Sequence, residues 1–133
     1  MPDPTPAEID QVLRFVTEEI ESVPELEALL LVWSTRPAHW RTTDLSKRLY
    51  ISQDQAQALL TQLSRKALLT VVPGESGAYR YDPGSEQRDL LMARIAEVYR
   101  KEIVRISTLI HSKPSSAVRD FARAFRFTRE KEK

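Results

Sequence analysis

Apolar residues recur along the chain at spacings that change from segment to segment, and the changes divide it. Ile9, Val12, Leu13, Val16 and Ile20 are spaced to fall on one face of a helix. Thr5-Pro6 opens that helix, with Thr5 as cap and Glu8 at its positive end. Val23-Pro24 closes it, because the residue before proline avoids helical geometry. A second helix over Pro24–Thr35 is apolar nearly all round, which predicts burial. Trp40 to Thr42 reads as extended, and Thr42 or Thr43 then caps a short helix that turns Leu45 and Leu49 inward. Tyr50-Ile51 is a turn. Ser52 caps the next helix, with Gln55 three residues on as in a capping box, and Ala56, Leu59, Leu60 and Leu63 as its inward stripe. Leu68–Val72 and Ala78–Tyr81 read as strands around the Pro73–Gly77 turn.

From Ser85 the spacing predicts one long helix to about His111, roughly 40 Å at 1.5 Å per residue. Met92, Ile95, Tyr99, Ile103, Ile106 and Ile110 form a seam along it, suited to the chain's own first helix or to a coiled-coil-like pairing with a second copy. Pro114 ends this helix. A final amphipathic piece, Ser115 to Phe127, sets Val118, Phe121, Ala122 and Phe125 against Arg119, Arg123 and Arg126. It is suited to a dimer bundle, a protein partner's groove or an anionic membrane surface.

The predicted fold class is therefore mostly α with a small β-wing: a winged helix-turn-helix core flanked by an N-terminal helix and a long C-terminal helix. The divisions fall at residues 1–23 (N-terminal helix), 24–83 (winged helix-turn-helix), 84–112 (dimerisation helix) and 113–133 (basic amphipathic helix and tail). In this arrangement the outer side of the Ser52–Lys66 helix is free to enter a major groove. Gln53, Gln57 and Thr61 lie there, with Gln55 or Gln62 beside them, and glutamine can bond adenine through two hydrogen bonds. Arg41, Lys47, Arg48, Arg65, Lys66 and Arg80 are the candidate phosphate contacts.

The segment Thr43-Asp-Leu-Ser-Lys-Arg-Leu49, followed by Ser52 to Leu69 with Ala56, Leu60, Leu63 and Leu68-Leu69, resembles the helix-turn-helix and wing entry of MarR-family regulators. The likeness extends to the flanking helices and so to nearly the whole layout. It implies a homodimer on a pseudo-palindromic double-stranded DNA site, with Ser52, Gln53, Gln55, Gln57 and Thr61 near the bases. The chain departs from the family at Ala67, where a glycine is usual, and at the wing tip Gly74-Glu75-Ser76-Gly77, where paired basic residues are common.

Charge refines this picture. The 133 residues sum to +1, but unevenly. Residues 1–34 hold eight acids and one base (−7), residues 35–98 are at +2, and residues 99–133 hold ten bases and four acids (+6). A near-neutral total argues against nonspecific coating of nucleic acid. There is no cysteine, so disulfides and thiolate metal sites are excluded. The two histidines, His39 and His111, have no ligand cluster beside them, and no nucleophile or oxyanion donor accompanies the Glu18-Glu19 or Glu25-Glu27 pairs. No metal, cofactor or catalytic set is expected. The longest apolar run, Ala28–Trp33, is far short of the ~20 residues of a membrane span, and the acidic, proline-rich start is unlike a secretory signal, which places the protein in the cytoplasm. The reading is a transcriptional regulator. The alternative is a winged-helix adaptor that engages a protein or membrane through its basic C-terminal segment.

Overall fold

The computed structural model describes residues 3–112. The amphipathic piece predicted over residues 115–127 lies outside them. Among the described residues there are six helices and a three-stranded antiparallel sheet: α1 Pro6–Glu19, α2 Val23–Ser34, β1 Trp40–Arg41, α3 Thr42–Leu49, α4 Gln53–Arg65, β2 Leu69–Val71, β3 Ala78–Tyr81, α5 Glu86–Lys101 and α6 Ile103–His111. This is a winged helix-turn-helix, α2 to β3, flanked by helices on both sides.

Local chemistry accounts for the helix starts. The hydroxyls of Thr5, Ser22, Ser52 and Ser85 accept hydrogen bonds from the backbone N–H groups of Glu8, Glu25, Gln55 and Arg88. The predicted capping box closes, with the Gln55 side chain accepting from the Ser52 N–H at 3.0 Å. Two boundaries shift. The first helix stops at Glu19 rather than at Val23-Pro24, because Ile20 turns extended and Ser22 starts α2. The cap of α3 is Arg41, not a threonine, and the Asp44 carboxylate accepts from its N–H at 3.0 Å.

The expected single long helix is two. At Glu102 the backbone leaves helical geometry (φ −128°, ψ 47°), and α6 begins at the next residue. Both α5 and α6 pack on α1 and α2. The seam is consequently used within the chain: Met92, Ile95, Ile106 and Ile110 are buried, and the Tyr99 hydroxyl donates to Glu27 at 3.2 Å. Ile103 alone of the seam is exposed, together with Val104 beside it and Leu90 on α5. Burial of the seam therefore needs no second copy.

The core follows the apolar stripes. Val12, Phe15 and Val16 of α1, which packs on α5 and α6, share one core cluster with Leu26, Leu29 and Val32 of α2 and with Leu45, Leu60 and Leu63 of α3 and α4. Helix α2, apolar nearly all round, touches α3, α4, α5, α6 and β3, which explains its lack of a polar face. The sheet order is β1-β3-β2, with Trp40 opposite Tyr79 and Thr70 opposite Arg80. Gly74 and Gly77 take φ of 81° and 76° in the wing turn, a geometry other residues resist. Ala67 takes φ 59° after α4, at the position where the family pattern has glycine.

One buried ion pair ties head to flank. Glu25 is fully buried, and its Oε1 lies 2.5 Å from Lys66 Nζ at the end of α4. Lys66 also donates to the Glu19 carbonyl at the end of α1. The sequence reading of Lys66 as a phosphate contact is corrected here: its ammonium is held inside, where three helices meet. Among the described residues, Glu25 Oε2 is buried without a partner.

Candidate nucleic-acid interface

The outer side of α4 is uncovered. Gln53, Gln55 and Gln57 are exposed, Thr61 and Gln62 are half-buried, and no other helix lies over Gln53 or Gln57. The inward stripe of Ala56, Leu59, Leu60 and Leu63 is buried, so the helix stands with its polar side to solvent.

The glutamines differ in how free they are. Among the described residues Gln53 has no side-chain partner, and it stands in the first turn of α4. Gln55 is engaged in the Ser52 cap. Gln57 is a junction: its Oε1 accepts from the Thr42 hydroxyl of α3 at 2.5 Å, and its Nε2 faces the Thr61 hydroxyl at 3.1 Å and the Tyr79 hydroxyl of β3 at 3.3 Å. Tyr79 thereby ties the wing to α4. Tyr81, on the same side of β3, donates to Asp89 of α5 at 2.7 Å; burial and this carboxylate push its phenol well above the ordinary range.

The candidate phosphate contacts separate into three settings. Lys47 and Arg48, in the last turn of α3, line an open hollow of about 620 Å³ with His39, Trp40 and Tyr50, whose side chain is 95% exposed at the left-handed turn into α4. Arg65 is exposed at the far end of α4, about 18 Å from Gln53 along the axis. Arg80 alternates away from Tyr79 and lines a different hollow with Arg36 and Pro37. Arg41 is engaged at the wing, donating to the Ser76 carbonyl at 2.8 Å with Glu75 at 3.9 Å. The acidic wing tip is itself occupied, since Glu75 also meets His39 Nδ1 at 3.0 Å.

Lys47, Arg48, Arg65 and Arg80 have no carboxylate partner among the described residues. Four bases of α5 and α6 do: Arg94 meets Glu8 at 3.1 Å, Arg100 meets Glu97 at 2.9 Å, Lys101 meets Asp3 and Glu97, and Arg105 meets Glu102 at 3.4 Å, whereas Arg88 of α5 donates to the Lys66 and Ala67 carbonyls.

The chain is similar in fold to a MarR family protein from Bacillus stearothermophilus. The two are 17% identical, the match covers 95% of this chain and 85% of that one, and the TM-score is 0.44. No protein-family model and no curated protein matches the sequence. The functional reading therefore rests on this chain's own residues.

No group of three or more histidine, aspartate or glutamate side chains suited to a metal ion occurs among the described residues, and no described helix is long and apolar enough to cross a membrane. Sequence reasoning missed the Thr42–Gln57–Tyr79 junction and the His39–Glu75–Arg41 cluster. Both join residues far apart in the chain, and no local spacing announces them.

Proposed function

We propose that the protein is a sequence-reading DNA-binding protein that acts as a homodimer in transcriptional regulation. The observation that carries this is the pairing of an uncovered polar face on α4 with Lys47, Arg48, Arg65 and Arg80, cations that have no internal carboxylate partner. A helix presented this way can enter a major groove, while free arginine and lysine side chains take phosphates. Gln53 is the base reader best placed to use both hydrogen bonds of its amide. Exposed Leu90, Ile103 and Val104 are the apolar side chains left on α5 and α6 for a second copy.

Selection of random-sequence duplexes by the purified full chain, at two salt concentrations, tests the reading. The expected result is an enriched motif with two related half-sites and an affinity that falls steeply with salt. No motif and no salt dependence would overturn it. For the dimer, sedimentation of the full chain is expected to give twice the monomer mass, and Val104→Glu with Ile103→Glu to reduce it to one.

A further inference from the structure

The hydrogen-bond capacity of Gln57 fixes what it can read, an inference that rests on the DNA-binding reading above. A glutamine amide has two N–H donors on nitrogen and two acceptor sites on oxygen. Recognising adenine by the bidentate route needs one donor and one acceptor together, for N7 and the N6 amino group. In this chain both donors of Gln57 are engaged, by Thr61 at 3.1 Å and Tyr79 at 3.3 Å, and one acceptor site is engaged by Thr42 at 2.5 Å. One acceptor site on Oε1 is left.

We propose that Gln57 is a single-bond reader selecting a base with a major-groove amino group, and that Tyr79 is the positioning residue that keeps it so. Both adenine (N6) and cytosine (N4) present an amino donor in the major groove, whereas guanine and thymine present carbonyl oxygens there. The remaining lone pair of Oε1 accepts from the first two and faces an oxygen in the others. The base opposite Gln57 is thus two-fold degenerate, adenine or cytosine. Gln53, four residues earlier and without a side-chain partner, keeps the full adenine-type pattern. The junction also joins α3, α4 and β3 through one side chain.

The test is motif selection from random-sequence DNA with four full-length proteins in parallel: the wild type, Gln57→Ala, Tyr79→Phe and Thr61→Ala. Gln57→Ala locates the base, as the position whose preference disappears. At that position the wild type is expected to enrich adenine and cytosine within about twofold of each other and to deplete guanine and thymine. Tyr79→Phe removes one acceptor and frees an N–H. Thr61→Ala frees the other N–H, and because only the N–H on the same edge of the amide as Oε1 can reach N7 beside it, one of these two variants is expected to give the shift. The shift is a rise of adenine over cytosine by about tenfold, in the range one bidentate pair supplies. A wild-type preference for guanine and thymine, a preference for adenine alone, or no shift in either variant overturns the assignment while leaving DNA binding intact. So does a Gln57→Ala motif identical to the wild type's. A wild type that enriches no motif overturns the DNA-binding reading and this assignment with it.

Discussion

The winged head and the helical flank both carry positive side chains, and they treat them differently. On α5 and α6 Arg94, Arg100, Lys101 and Arg105 sit within reach of carboxylates, and Arg88 is held by backbone carbonyls. In the head, Lys47, Arg48, Arg65 and Arg80 are left without one. Exposed ion pairs contribute little to stability, typically below about 1 kcal/mol, so the difference matters less for the fold than for the field around it. A paired base is quiet at a distance, whereas an unpaired one attracts anions. Lys47, Arg48, Arg65 and Arg80, exposed and without a carboxylate partner among the described residues, all lie on the head.

The strongest way to break this contrast is to neutralise the two sets separately. Alanine at Lys47, Arg48, Arg65 and Arg80 together is expected to weaken duplex binding by at least about a hundredfold and to lower the slope of log affinity against log salt by up to ~4. Alanine at Arg94, Arg100, Lys101 and Arg105 is expected to change affinity by less than about threefold. Fluorescence anisotropy with a labelled duplex measures both, and equal losses from the two sets would remove the distinction.

Lys66 is a head cation held in the interior, and it sharpens the comparison through stability. Lys66→Ala leaves Glu25 charged and unpaired in the interior, which is expected to cost about 3 kcal/mol in urea unfolding. The double change Glu25→Leu with Lys66→Met is expected to recover most of that loss, since apolar residues replace a buried pair at little cost. Failure of the double variant to recover would mean that the pair does more than neutralise itself.

Ala67→Gly is a smaller change, at the junction of α4 with the wing. Glycine relieves the left-handed conformation at φ 59° and is expected to add about 1 kcal/mol by the same measurement. At the head–flank contact, Tyr81 supplies a pH signature. Its folded pKa is raised above the ordinary value of 10, so its contribution is complete below pH 10 and is lost as pH climbs beyond it. Urea midpoints above pH 10 are expected to decline less steeply in Tyr81→Phe than in the wild type.

Much of the fold could be read from the chain because its signals are local. The Ser52–Gln55 capping box and the strand over Ala78–Tyr81 each involve residues within a few positions, and both appear where expected. The break at Glu102 could not, because neither proline nor glycine marks it and the three-and-four spacing of the seam runs straight through. Strand β1 has two residues, too few for any alternation, and is defined only by its pairing with β3. Of the site, the exposure of Gln53 and Gln57 followed from the leucine stripe beneath them. The engagement of Gln57 and the enclosure of Lys66 depend on residues brought together by tertiary structure.

The division at Glu102 bears on how the molecule is made. Every element of the head has left the ribosome soon after Tyr81, and most of its contacts join neighbours in sequence, such as α3 with α4 and β2 with β3. Helix α1 is in the opposite position: synthesised first, it finds its covering helices only when residues 86–111 emerge. At roughly 5–20 residues per second, Val12, Phe15 and Val16 wait a few seconds in water beside a finished head. The nascent chain therefore passes through a stage at which its oldest segment is its stickiest.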